Sequence, residues 1–290
     1  MPKLTSLKDF IIFLGPILII TITLYYMIGE TIYVSMSDWR TMKPSYNFVG
    51  LDNFQRILSN PRFWNALKNN IIWILIFVIP TSFLGLIIAY LITLTGKETI
   101  FRTILLIPTA MSMTVSATIW VWMYGKEGAI NTILKAIGLG SMAHGWIDDP
   151  NTALYALVFV TVWLYLGFAT VIFEATIKGI DKSIIEAARI DGASDFKIFY
   201  RIILPLSKSG FMVSVPLLSL AILKLFDLVF VATRGGPGLA TDVLGYYMWE
   251  TAFWMRFFAD GAAIAVVILG LSLLIVIPYA LVALKRWFGR

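Results

Sequence analysis

The sequence contains no cysteine, so disulfide bonds, thiolate metal sites and cysteine nucleophiles are excluded. Histidine is almost as scarce, because His144 is the only one and it stands beside Gly145 and Trp146 in a predicted loop. A metal site needs several ligands around one ion, and the partners for such a site are missing. We therefore interpret His144 as a loop residue and not as a ligand or a general base.

Charge is also sparse, since Asp, Glu, Lys and Arg make up 14% of the chain against about 25% in a typical globular domain. Hydrophobic residues reach 59%, and the mean hydropathy is +0.84. The apolar runs are too long to be the core helices of a globular fold. The chain is therefore predicted to be an all-α integral membrane protein, with residues 1–290 forming one membrane domain.

Six apolar segments have the length, about 20 residues, that a helix needs to cross a bilayer. They are predicted at about 10–28, 70–94, 103–124, 153–177, 209–231 and 261–284. An even number of spans puts both termini on one side. With a cytoplasmic N-terminus, inside segments hold 13 Lys and Arg residues and outside loops hold 9, so the positive-inside rule predicts that both termini are cytoplasmic.

The net charge of +6 comes almost entirely from these inside segments, which face anionic lipid, and it gives no argument for a nucleic-acid partner. The pair Gly96-Lys97 resembles the end of a phosphate-binding loop, but Leu91 replaces the first glycine of that motif and Glu98 replaces its hydroxyl residue. This segment is predicted to be a tight turn. The chain by itself is therefore not expected to hydrolyse ATP.

Charged residues inside a span are costly to insert, and they are functional candidates by default. Asp227 follows Lys224 by three positions on the fifth predicted span, so the two residues would share one helix face and could pair. The sequence leaves two interpretations open: the pair stabilises helix packing, or it lines a cavity. Glu174 lies within about one turn of Lys178 near the inner end of the fourth span, and we interpret Glu174 as structural.

The fourth span also carries Thr161, Trp163, Tyr165 and Phe168 near its middle. Aromatic rings in this position are notable because sugars bind through apolar faces that stack on aromatic side chains. Four prolines, Pro80, Pro108, Pro216 and Pro278, lie inside predicted spans and predict kinks.

The most charged stretch of the chain is 181–206, which is predicted to form two short helices on the cytoplasmic side. Ser183 is expected to cap the first helix, Gly192 to end it in a left-handed conformation, and Ser194 to cap the second, with Pro205 marking the return to the membrane. Ala187 and Ala188 would let another backbone approach closely. Such a segment is typical of an element that inserts into a groove of another protein.

Glu186-Ala187-Ala188, three residues, Gly192, nine residues and Ile202-x-Leu204-Pro205 resemble the EAA motif of ABC importer permeases. Further matches resemble the carbohydrate-uptake (MalF-like) subfamily of these binding-protein-dependent inner membrane components. They lie at 48–54, 101–102, 107–108, 226–227 and 235–238.

The resemblance implies a type I importer permease fold in which 181–206 carries the coupling helix. It also implies a second, non-identical permease, an extracytoplasmic sugar-binding protein, and two cytoplasmic ATPase subunits that hold ATP and Mg while this chain holds no cofactor. Alternating access of a sugar would follow ATP hydrolysis on those subunits. The residues that would dock on the ATPase are Glu186, Ala187, Ala188, Arg189, Asp191 and Gly192.

The pair Trp163-Leu164 resembles the pattern of the family's fourth span, whose helix lines the sugar cavity. The resemblance thus makes Thr161, Leu164, Tyr165 and Phe168 candidate sugar contacts, and Lys224 and Asp227 join them as charged residues in the membrane.

Two other functions compete with sugar import through an ABC transporter. Glu174, Lys224 and Asp227 could relay protons in a secondary transporter, although no inverted repeat is visible. Lys224 could also favour a glycerol phosphate as the imported substrate. A membrane-embedded enzyme is the weakest alternative, because no nucleophile with an adjacent base is present.

Overall fold

The computed structural model describes residues 7–288, and these residues are helical almost throughout. Within that range, the only β structure is one antiparallel bridge between Ser37 and Phe48. The helices are α1 Leu7–Ser35, α2 Asp52–Leu58, α3 Pro61–Thr95, α4 Glu98–Ala110, α5 Met113–Tyr124, α6 Ala129–Ala136, α7 Ala153–Lys178, α8 Lys182–Ile190, α9 Asp195–Ile198, α10 Leu204–Leu206, α11 Lys208–Leu223, α12 Asp227–Ala232, α13 Leu244–Trp249 and α14 Phe258–Phe288. π-Helical turns at Phe199–Ile203 and Glu250–Trp254 follow α9 and α13.

Four helices are long and apolar enough to cross a membrane, namely Leu14–Ser35, Pro61–Thr95, Ala153–Lys178 and Phe258–Val282. Two bent pairs, Glu98–Ala110 with Met113–Ala136 and Asp195–Leu206 with Lys208–Leu223, bring the number to six when each pair counts as one span. The predicted all-α membrane fold is therefore confirmed. The predicted tight turn between the second and third spans is also confirmed, since Gly96 has a φ of +66° between α3 and α4.

Two predicted spans are broken in the structure: the third beside Pro108, where a kink is predicted, and the fifth after Leu223, where none is predicted. The third is interrupted after Ala110, where Pro108 occupies the last turn of α4 and Ser112 caps α5 by accepting a hydrogen bond from the Val115 N–H at 3.2 Å. The two halves are bent by 91°. The fifth ends at Leu223 and not near residue 231, because the chain unwinds before α12.

Kinks are also predicted at Pro80, Pro216 and Pro278, which lie inside α3, α11 and α14 respectively. Two helices are longer than the spans predicted for them. The first helix runs on to Ser35, and the second begins at Pro61, where proline suits the first helical position because it has no N–H to leave unsatisfied.

The backbone contacts divide the chain into two compact units. One unit contains the residues up to Asn60 together with Met248–Leu269. Its centre is Asn53, a buried residue on α2 whose side-chain amide donates to the carbonyls of Ser35 at 2.9 Å and Ser37 at 2.7 Å. Arg40 and Arg56 both pair with the buried carboxylate of Asp260 at 3.0 Å. The prediction of a single domain stays a prediction.

The second unit contains Pro61–Tyr247 and Gly270–Arg290 and is built on the packing of α3 and α4 against α7. Glycine allows α7 to approach α4 closely: a Cβ added to Gly167 on α7 would lie 2.0 Å from the carbonyl oxygen of Leu105 on α4. Beside this crossing, the Thr109 hydroxyl donates to the carbonyl of Leu164 at 2.6 Å. Small residues at such crossings let the helices of membrane proteins approach closely.

Candidate functional site

The coupling segment, residues 181–206, begins with a capped helix, α8, that has no fully buried residue. The carboxylate of Asp181 accepts a hydrogen bond from the Ser183 N–H at 2.9 Å, so Asp181 is the N-cap of α8 and the prediction of Ser183 was wrong. That backbone hydrogen bond also holds the pKa of the Asp181 carboxyl below its usual range. Aspartate is the better cap here because its carboxylate is also favoured by the positive end of the helix dipole.

Gly192 ends α8 in the predicted left-handed conformation, with a φ of +75°. The Ala193 N–H bonds to the Ala188 carbonyl at 2.9 Å and the Gly192 N–H bonds to the Arg189 carbonyl at 3.0 Å, which together form a Schellman motif. Ser194 then caps the second helix by accepting from the Lys197 N–H at 3.4 Å. Pro205 does not end this helix, because the 67° bend toward α11 follows Leu206.

Most of the predicted docking residues are exposed on α8 and the turn after it: Glu186, Ala187, Arg189, Asp191 and Gly192. Ala188 differs, because it is partly buried and packs against the core cluster beneath the helix. The sequence prediction that both alanines face a partner is therefore not matched for Ala188. Two apolar side chains complete the outer surface, Ile190 with 86% exposure and Phe196 with 79%.

Ile190 and Phe196 were not identified from the sequence. The signal that could have found them is their position: each large apolar residue stands among charged residues, directly before Asp191 or directly after Asp195. Exposed apolar side chains of this size on a polar helical segment usually mark a protein interface.

The inner face of the coupling segment is fastened to α3 and α7. This attachment is a core cluster of apolar residues from α3, α7, α9 and the following π-helical turn. Its buried members are Leu86, Ala89, Tyr90, Phe173, Ile177, Ile198 and Ile203. The Tyr90 hydroxyl donates to the Asp195 carbonyl at 3.2 Å, and Asp195 accepts from Arg189 at 3.4 Å. The π-helical turn at Phe199–Ile203 lies within this attachment, where Ile203 is fully buried.

An ion-pair network lies close to the coupling segment. The buried carboxylate of Glu174 pairs with Arg102 and with Lys178, and Lys178 also pairs with Glu98 at the start of α4. This network joins α4 to the end of α7 and satisfies the buried charge of Glu174. The contacts agree with the structural interpretation of Glu174.

A second candidate site is the break cavity, a space of about 340 Å³ in which the two broken spans meet. Its lining comprises Met113, Tyr165, Leu217, Leu220, Ala221, Lys224, Leu225, Phe226 and Asp227. Met113 is the first residue of α5, and 224–227 is the unwound stretch between α11 and the start of α12. Tyr165 comes from α7 and packs edge to face on Phe77.

Lys224 and Asp227 do not form the predicted pair. Because the helix stops at Leu223, the two residues no longer share a helix face, and no ion pair within 4 Å joins them among residues 7–288. Both side chains are exposed to the space of the cavity. The cavity thus presents a cation and an anion separately, beside the rings of Tyr165 and Phe226.

The other predicted sugar contacts do not line this cavity. Thr161 is fully buried, where its hydroxyl accepts from the indole of Trp73 at 3.0 Å and donates to the Val158 carbonyl at 2.7 Å. Leu164 is buried at the contact with α4, and Phe168 is half-buried on α7 outside the lining residues. Of the predicted set, the structure brings together Tyr165, Lys224 and Asp227.

Groups that could hold a metal are missing from the described part of the chain. His144 is half-buried and not simply solvated: its ring lies 4.3 Å from that of Trp146, and its two nitrogens contact the Met142 carbonyl and the Thr152 hydroxyl. These contacts hold the loop between α6 and α7.

Residues 10–288 match the protein family described as "Binding-protein-dependent transport system inner membrane component". A probable ABC transporter permease of Pyrococcus horikoshii is 38% identical, with 96% of this chain and 97% of the relative covered. The glucose import system permease GlcT of Saccharolobus solfataricus is 32% identical over 98% and 99% of the two chains. The alpha-glucoside transport system permease AglF of Rhizobium meliloti is 33% identical over 91% of this chain and 79% of the relative.

Among solved structures, the fold is similar to a chain of a bacterial ABC transporter that imports the acidic polysaccharide alginate. The TM-score is 0.79, the sequence identity is 20%, and the match covers 98% of this chain and 97% of that one. The same fold appears in a crystal structure of such a transporter in complex with an alginate pentasaccharide-bound periplasmic protein, with a TM-score of 0.78. These similarities confirm the predicted permease fold.

Proposed function

Since this chain belongs to the family of binding-protein-dependent transport system inner membrane components, and is thus an ABC transporter permease, we propose that it imports a sugar by alternating access. ATP hydrolysis on two cytoplasmic partner subunits, with their bound Mg, drives the step, and this chain contributes no ATPase site. An extracytoplasmic binding protein delivers the sugar. Both termini and the coupling segment face the cytoplasm, and a second, non-identical permease completes the pathway.

The observation that carries this proposal is the geometry of α8. The helix has a satisfied cap at each end, carries the EAA residues and has no fully buried residue, so it is ordered while its outer face stays exposed. A helix of nine residues is too short to be stable alone in water. Its capping and its anchoring to α3 and α7 therefore support a pre-formed docking element.

Support for a sugar comes from two sources. Relatives that match over 91% or more of this chain are named for glucose and alpha-glucoside transport. The break cavity combines two aromatic rings with one cationic and one anionic side chain, which suits a neutral polyhydroxylated ligand that both donates and accepts hydrogen bonds. Asp227 opposes an anionic ligand such as a glycerol phosphate, and Lys224 opposes a cationic one.

Docking is tested at Gly192, where the backbone has a conformation that proline cannot adopt. Gly192→Pro fixes φ near −65° and destroys the turn, whereas Gly192→Asn tolerates a positive φ, and no atom lies within 4 Å of the added Cβ. We expect Gly192→Pro and Glu186→Lys to abolish uptake in the assembled transporter and to uncouple ATP hydrolysis from it. Gly192→Asn should retain most of both. Equal uptake in the proline and asparagine variants would refute docking through this turn.

The substrate is tested by uptake into vesicles that contain the complete transporter and its binding protein. ATP enclosed in the vesicles should drive uptake of glucose or an alpha-glucoside, and uptake should survive a protonophore. Loss of uptake with the protonophore at constant ATP would support the proton relay instead, and competition by glycerol phosphate but not by glucose would identify an anionic substrate. Asp227→Asn, compared with Phe168→Leu outside the cavity, should show the larger rise in KM.

A further inference from the structure

The break between α11 and α12 leaves backbone groups that a continuous helix would pair with each other. In a continuous helix the Ile222 carbonyl would accept from the N–H four residues later. Here it accepts from the Leu225 N–H, only three residues later, at 3.1 Å. A break inside a membrane-spanning segment persists only when neighbouring groups satisfy the freed backbone.

One buried side chain supplies that satisfaction from another helix. The Asn70 side-chain amide on α3 donates to the Ile222 carbonyl at 3.0 Å, and its oxygen accepts from the Leu244 N–H at 2.8 Å. Leu244 is the first residue of α13, where the N–H has no partner inside its own helix. Asn70 is fully buried, so both bonds are shielded from water.

A close backbone contact joins the same three elements. A Cβ added to Gly245 on α13 would lie 2.4 Å from the carbonyl oxygen of Leu225, within the unwound stretch. The start of α13 therefore lies directly against the break, and Asn70 fastens it there. The end of α11 and the start of α13 are joined by one amide.

The geometry points to Asn70 as a positioning residue for the break cavity: by bridging Ile222 and Leu244 it keeps span five unwound, so that Lys224 and Asp227 face the cavity separately. The inference rests on the proposed function where it concerns substrate. Without the bridge, the stretch 224–226 could rewind, and each residue that rewinds turns the following side chains by about 100° around the axis. Asp227 would then leave the position in which it lines the cavity.

The chain offers a matched control in the preceding residue. Asn69 is also buried on α3 and donates two side-chain hydrogen bonds, to the Leu239 carbonyl at 3.2 Å and the Asp242 carbonyl at 2.8 Å. Both acceptors lie in the loop after α12 and not at the break. Asn69→Leu and Asn70→Leu therefore remove the same chemistry from neighbouring positions.

This chain contains no cysteine, so a single introduced cysteine is its only labelling site, and labelling is read on this chain after the partner subunits are separated from it on a denaturing gel. Asp227→Cys is combined with Asn70→Leu, Asn70→Asp or Asn69→Leu in the assembled transporter, and its reaction with a small charged methanethiosulfonate reagent is timed. We expect Asn70→Leu to slow labelling about tenfold, the size of effect that loss of buried hydrogen bonds produces. Asn69→Leu should leave the rate unchanged.

Asn70→Asp keeps the side-chain shape and the acceptor for Leu244, but its ionised carboxylate has no donor for Ile222. Labelling, compared with the Asn69→Leu chain at the same pH, should therefore also slow as the pH rises through the pKa of that carboxyl, even if the leucine variant fails to assemble. In chains with Asp227 intact, Asn70→Asp should raise KM for the transported sugar by about the same factor while Vmax changes less. An equal effect of Asn69→Leu, or normal labelling in both Asn70 variants, would overturn the inference. Labelling needs no transport, so absence of sugar uptake in the unaltered transporter would refute the proposed function alone.

Discussion

Replacing Gly167 by alanine tests the closest helix crossing of the second unit. The added Cβ would lie 2.0 Å from the Leu105 carbonyl oxygen, whereas carbon and oxygen in close contact are separated by about 3.3 Å. The backbone of α4 would have to retreat by the difference, about 1.3 Å, because neither atom belongs to a flexible side chain. Overpacking of this kind costs about 1–3 kcal/mol, and a backbone clash belongs at the upper end.

The retreat would also stretch the contact from the Thr109 hydroxyl to the Leu164 carbonyl, now 2.6 Å long, which lies beside the crossing. We expect Gly167→Ala to lower the midpoint of thermal unfolding of the detergent-solubilised protein by about 6–12 °C, measured by the loss of the monodisperse gel-filtration peak. Gly270→Ala is the control, since no atom lies within 4 Å of its added Cβ in α14. There the substitution should be neutral or stabilising by about 0.5–1 kcal/mol. Equal midpoints for the two variants would refute the close crossing.

Two further predictions concern a helix cap and a buried hydrogen-bonding side chain outside the spans. Asp181→Ala should speed hydrogen exchange of the first amides of α8 several-fold, whereas Ser183→Ala should not, because Asp181 is the cap. Since the pKa of Asp181 is lowered in the folded state, its cap is complete above the unfolded pKa of about 3.9 and is lost as the pH falls through the folded value. The protection factor of these amides, which is their exchange rate relative to the unfolded chain at the same pH, should therefore be constant between pH 6 and 8, and a change in it over that range would contradict the assignment. Asn53→Ala should destabilise its unit by about 1–3 kcal/mol and expose the loop 36–51 to protease, because the carbonyls of Ser35 and Ser37 lose their buried donor. Met42→Ala, at an exposed site in the same loop, should leave cleavage unchanged.

The helical nature of the chain and its coupling segment were predictable because their signals are local. Gly192 and Ser194 act through their own neighbouring backbone, so their roles could be predicted from sequence and are confirmed. The cap of α8 is different: Ser183 is the predicted cap, but Asp181 also has a side chain that caps helices, and the structure shows that its carboxylate accepts from the Ser183 N–H.

The break in span five could not be predicted in the same way. Apart from Lys224, Asp227 and three serines, residues 209–231 are apolar or glycine, and neither proline nor glycine occurs between Leu217 and Val231 to indicate a break. The unwinding depends on Asn70, which lies 152 residues before the carbonyl that it satisfies. The burial of Thr161 and Leu164 away from the cavity could not be predicted for a related reason: α7 is surrounded by several helices, so an apolar pattern does not show which face borders a cavity.

The attachment of the coupling segment also has a mechanical consequence. Ile198 and Ile203 are buried in the cluster formed with α3 and α7, whereas α8 has no fully buried residue of its own and continues from this anchored part through the turn at Gly192. A force applied to α8 from outside passes into two long helices, α3 and α7, by two routes: through the turn at Gly192, and directly through Ile185 and Ala188, which pack against the same cluster. The stiffness of these two connections sets how much of a displacement of α8 reaches α3 and α7.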